Sequence, residues 1–161
     1  MKNKAKFIIV IYAILLANLS LANAQQTMRL PNIIVQPGMY IYPLMRLGEK
    51  IFDRFQFNNE AKGKYYQDLF QKRLAELKFV VDNNYLDEIE KSSQRVSYQV
   101  GILTDLVVSH KLSNKKSVII DLYNDDKRIL EKLRDKYHSN SSFWMLVQHS
   151  INSIDINLQK L

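Results

Sequence analysis

The chain has 161 residues, 47% of them hydrophobic, with 23 basic and 16 acidic side chains and a formal charge of +7. It has no cysteine, which excludes disulfides, thiol catalysis and a lipid-modified cysteine anchor. Four glycines and three prolines are too few for a loop-rich or low-complexity chain.

Residues 1–24 have the three-part layout of a cleavable secretory signal. Lys2, Lys4 and Lys6 precede an apolar run from Phe7, and Ala22 and Ala24 occupy the small positions of a cleavage site. Cleavage is expected after Ala24, which makes the protein exported, periplasmic or extracellular. Retention as an N-terminal anchor is the alternative, although the run is short for a spanning helix. Removing three lysines and no acid lowers the charge from +7 to +4. That is not the footprint of a nucleic-acid partner. It suits weak contact with an anionic membrane surface or a wall polymer.

Residues 25–42 read as an extended arm. Ile33, Ile34, Val35, Met39, Tyr40 and Ile41 are too many apolar residues for a solvated linker, so part of the arm should dock. Pro37 and Gly38 fit the middle of a turn, with Gly38 supplying positive φ. Pro43 suits a first helical turn and biases Tyr42 towards extended backbone. From Pro43, Leu44, Leu47, Ile51 and Phe55 recur at helical spacing, and Phe52 widens the stripe. Aromatic residues beside such a stripe are ordinarily core, so the two tyrosines should pack on the body with their hydroxyls at its rim.

Asn58 or Asn59 is the expected cap of a second helix, about 60–82. Tyr66, Leu69, Phe70, Leu74, Leu77, Val80 and Val81 form its apolar face. Lys72 and Glu76, four residues apart, are placed on its wet side. Asn84 is expected to cap a third helix running to about Leu112, with Ile89, Val96, Val100, Leu103 and Val107 inside. Ser92, Ser93 and Gly101 lie near that stripe and would permit close helix approach. Residues 112–116 read as a turn. Residues 117–123 have strand-like β-branched content, but no second strand is available to pair with. A helix is favoured, interrupted by Asp126 and broken near Asn124. A last helix, about 141–159, offers Phe143, Leu146, Val147, Ile151, Ile154 and Leu158. The fold expected is all-α: a bundle of four or five antiparallel helices over 43–161, behind the arm.

Two stretches carry a resemblance. "PGMYIYPLMRLGEKI" followed by "YYQDLFQKRLAELKFVVDNNYLDEI" resembles an exported bacterial domain-of-unknown-function family, numbered five-six-six-seven. The matching positions are Pro37, Gly38, Tyr42, Pro43, Leu44, Arg46, Leu47, Glu49 and Lys50. In the second helix they are Lys72, Arg73, Leu74, Ala75, Glu76 and Leu77. Met45 stands where a lysine is common in the family, and Gly48 lies inside the first helix. The resemblance covers roughly residues 37–110 and leaves 113–161 as a helical extension. It implies an exported helical module and no catalytic residues.

Candidate chemistry is sparse. His110, His138 and His149 form no pair on one helical face. "DLYNDD" lacks the glycine and terminal glutamate of a calcium loop. There is no nucleophile elbow, phosphate loop or dinucleotide fingerprint. No catalytic residue, metal site or cofactor is expected, and the protein reads as a non-enzyme. The two basic stretches, 110–116 and 127–136, read as solvated faces. The residues singled out are Tyr40, Tyr42, Pro43, Leu44, Arg46, Leu47, Arg73, Leu74 and Leu77. They form either a structural latch, the favoured reading, or a groove for a peptide or glycan, and the two segments that carry them are expected to touch. The function expected is a non-catalytic interaction or structural module of the bacterial cell envelope. Its partner would be another envelope protein or a second copy. The alternative is a periplasmic stress- or metal-sensing adaptor.

Overall fold

A computed structural model describes residues 30–161. The expected signal segment, residues 1–24, and residues 25–29 of the arm lie outside the described residues. Five helices follow one another: α1 (Tyr42–Arg54), α2 (Asn59–Asp82), α3 (Leu86–Ser109), α4 (Ser113–Arg134) and α5 (Ser142–Leu158). The described residues contain no strand, so the all-α reading holds.

The arm turns before it becomes helical. Met39 N–H donates to the Gln36 carbonyl at 3.2 Å across Pro37 and Gly38, and Gly38 has φ +90°. Proline followed by a positive-φ residue is the type II pattern. Pro43 lies in the first turn of α1. Asn58 caps α2, its side chain accepting from Glu60 N–H at 2.8 Å, and Ser141 caps α5 through Trp144 N–H at 3.1 Å.

Asn84 does not cap α3. It adopts φ +58° in the turn that closes α2, where Tyr85 N–H reaches the Val80 carbonyl at 2.9 Å. Lys111 does the same after α3, with φ +51° and Leu112 N–H donating to Val107 O at 3.0 Å. Both are helix ends closed by a left-handed residue and a six-to-one bond.

Helices α2 to α5 form the bundle. Phe70, Leu74, Leu77 and Val80 of α2 meet Ile89, Val96, Val100 and Leu103 of α3, Ile119, Tyr123 and Leu130 of α4, and Val147, Ile151 and Ile154 of α5. Consecutive helices run antiparallel, as expected, but the lateral neighbours do not. Glu60 meets Asn114 and Asp82 meets Lys136, so α2 and α4 are parallel. Ser93 meets Ser150 and Asp105 meets Lys160, so α3 and α5 are parallel too. The short 110–112 connection therefore carries the chain between opposite corners of the bundle.

Residues 117–123 are helical, and α4 runs unbroken through Asn124. Asp126 does not interrupt it. Ile119, Tyr123, Asp126, Leu130 and Leu133 form the buried stripe, and Gln71 of α2 donates to the Asp126 carboxylate. Close approach of α3 to α5 is met at Ser93, whose carbonyl accepts from Ser150 Oγ at 3.1 Å. A Cβ built on Gly101 would touch nothing within 4 Å, so that glycine is not required for the approach.

Candidate functional site

The two segments expected to touch do so. Helix α1 lies antiparallel along α2, and polar side chains join them. Glu49 is the centre. Its Oε1 accepts from Lys72 Nζ at 2.8 Å, its Oε2 accepts from Arg46 Nη1 at 3.1 Å, and the Arg73 guanidinium also donates to Oε2. Arg73 donates through Nη1 to Glu76 Oε1 at 2.6 Å. Tyr42 OH donates to the other oxygen of Glu76 at 2.7 Å. Tyr65 OH donates to the Glu49 carbonyl at 2.8 Å. Arg95 of α3 lies over the Tyr42 ring, 4.9 Å from its centroid. Further along, Lys62 approaches Asp53 at 3.8 Å, and Phe52 meets the Tyr65 ring edge-on at 5.3 Å.

This network is dry at its base. Arg73 is 1% exposed and Glu76 is fully buried. Two buried charges are tolerated only when paired and hydrogen-bonded, and here each has at least two partners. Burial works against the Arg73 charge, but Glu76 and Glu49 outweigh it and hold the guanidinium charged. Burial pushes Glu49 up, and the hydrogen bonds and charges of Lys72 and Arg73 outweigh it, so its carboxyl sits below the ordinary range. Burial, then Glu76, raises the Tyr42 phenol. Each carboxylate in the cluster is engaged by a cation. The chemistry of the site is attachment.

The residues picked from the sequence divide into two groups. Tyr42, Arg46, Arg73, Leu74 and Leu77 enter the latch or the core beneath it, and Pro43 starts α1. Tyr40, Leu44 and Leu47 do not. Tyr40 is fully exposed, and Leu44 and Leu47 are 65% and 52% exposed. The same holds for Ile51 and Phe55, while Phe52 is 55% exposed and touches the body at the Tyr65 ring. The apolar stripe of α1 is real, but it faces outward. Helix α1 is attached by its polar side, because Tyr42, Arg46, Glu49 and Asp53 share one arc of the helix, opposite Leu44, Leu47, Ile51 and Phe55.

Sequence reasoning placed Lys72 and Glu76 on the wet face of α2. Glu76 is instead buried beneath α1, where it bonds Arg73 and Tyr42, and Lys72 reaches Glu49. The density of the resemblance at Glu49 and in "KRLAEL" was the available signal for this pairing. Elsewhere, His110 Nδ1 is 3.0 Å from Asn59 Nδ2. Among the described residues no three His, Asp or Glu side chains are grouped to hold a metal ion. An open groove of about 750 Å³ lies between arm residues 30–33 and the C-terminal ends of α2 and α4. Leu30 packs there against the core.

Neither a curated protein nor a solved structure is matched by this chain. A family does match, over residues 34–140. The match takes in the arm from residue 34, α1 to α3 and all of α4, so more than half of the segment from 113 read as an extension is inside it, and of the described helices only α5 lies beyond. It spans both halves of the latch, and with two thirds of its length accounted for, the chain belongs to the family defined by the domain of unknown function (DUF5667).

Proposed function

We propose that this protein is an exported, non-catalytic interaction module of the bacterial cell envelope, and that α1 is its contact element. One observation carries the reading: α1 is fixed to the body by its polar side and turns its apolar side outward. An amphipathic helix that served only the fold would do the reverse, burying Leu47 and Ile51 and wetting Glu49. Instead a buried ion network holds a row of large apolar side chains away from the core. Contiguous exposed apolar surface of this kind marks contact sites. The signal-like layout of residues 1–24 and the charge of +4 beyond it support a place in the envelope.

The test is the triple substitution of Leu44, Leu47 and Ile51 by serine. Association of the protein with the envelope fraction of its cells is expected to fall sharply, with the melting temperature unchanged. Undiminished association would refute the proposal, and so would a loss of stability as large as that of a core substitution.

A further inference from the structure

The outward face of α1 extends beyond the helix. Tyr40, at its start, and Phe57, just after its end, are almost completely exposed, and Leu44, Leu47, Ile51 and Phe55 lie between them. At 1.5 Å per residue, α1 is about 20 Å long. Its two outward cations, Lys50 and Arg54, are exposed and make no ion pair among the described residues. The carboxylates of the same helix, Glu49 and Asp53, are turned to the body and engaged there by Lys72, Arg73 and Lys62. The outward surface of α1 is thus apolar, bordered on one side by the two cations, with no carboxylate of its own.

We propose that this face docks on an anionic lipid bilayer, with α1 lying in the plane of the interface. The inference rests on the reading of α1 as a contact element and names what it contacts. An in-plane helix needs an apolar face that sinks to the headgroup boundary and basic residues at its border. Tyr40 and the phenylalanines have the amphipathic or apolar rings that settle at that depth. A second copy docked through the same face is a poorer occupant, because its α1 brings no free carboxylate to answer Lys50 and Arg54. A bilayer needs neither a complementary shape nor a large area, and its anionic headgroups answer both cations.

The test uses the chain from Gln25 to Leu161, so that the apolar run of residues 1–24 does not itself bind lipid. Among the described residues every buried apolar core residue lies between Tyr42 and Ile154, and this chain retains all of them. Vesicles of phosphatidylcholine with about one third phosphatidylglycerol are sedimented with it at low salt. Binding is expected, weakening several-fold in phosphatidylcholine alone or at high salt. Ile51→Glu should lower it at least tenfold, and Lys50→Glu with Arg54→Glu several-fold, all with unchanged melting temperature. No binding to the anionic vesicles, or equal binding by Ile51→Glu, overturns the lipid proposal. If the wild type then self-associates in sedimentation velocity and Ile51→Glu does not, the occupant is a second copy and α1 remains a contact element. If Ile51→Glu lowers the melting temperature as a core change would, the face is structural and both readings fall.

Discussion

Tyr42 and Asp126 show how one side chain can depart from its sequence expectation. Tyr42 reads as a rim residue, yet its hydroxyl is spent on a buried carboxylate. Tyr42→Phe leaves one Glu76 oxygen without that donor and should cost about 1–3 kcal/mol. Tyr42→Ala should cost more, about 3–5 kcal/mol, because the ring is lost as well. Urea titration of the pair separates hydroxyl from ring, and equal losses would mean that the hydroxyl contributes nothing. Asp126 is fully buried, one of its oxygens has no partner, and burial pushes its pKa to about 7 against the help of Gln71. Because the unfolded chain ionises this acid more readily, its contribution is intact below about pH 4. It is lost as pH rises through about 7. Asp126→Asn cannot ionise. Its stability relative to the wild type should improve by about 2–4 kcal/mol between roughly pH 4 and pH 8. Parallel stability curves for the two proteins would show that Asp126 is ionised throughout.

At the scale of the element, the helices divide by what attaches them. Helices α2 to α5 bury apolar stripes against one another, so opening one exposes the shared core. Helix α1 is held by a few polar contacts and buries one large side chain, Tyr42. Its amides should exchange with solvent orders of magnitude faster than those of α2 or α3. Exchange at the rate of the bundle would show that α1 belongs to the global unit. The helix ends give a second check. Lys111 and Asn84 both hold positive φ, a conformation that costs a lysine more than an asparagine. Lys111→Gly should raise stability by about 0.5–1 kcal/mol, and Asn84→Gly by less, in thermal unfolding.

For the whole molecule, the latch joins the contact helix to the bundle through charge, so acid should separate them. Glu49 is held below the ordinary glutamate range. Its contribution is therefore present above about pH 4.3, the unperturbed value, and is lost as pH falls through its lowered native one. Near pH 3, limited proteolysis with an acid-active protease should cut the 55–58 connection while residues 59–161 stay intact; simultaneous loss of both would show one cooperative unit. The sequence by itself determined the helices, their apolar stripes, the asparagine cap of α2 and the pairing of the two family-like segments. These follow from local periodicity and from residues whose backbone preferences act alone. Only the tertiary structure decided which side of α1 faces the body. Periodicity defines an apolar face but not its direction, and here the buried Arg73–Glu76 pair recruits Glu49 and Tyr42 and turns that face to solvent. The tertiary structure also decided that Asp126 belongs to a buried stripe and that α2 runs parallel to α4, because both depend on contacts between residues more than fifty positions apart.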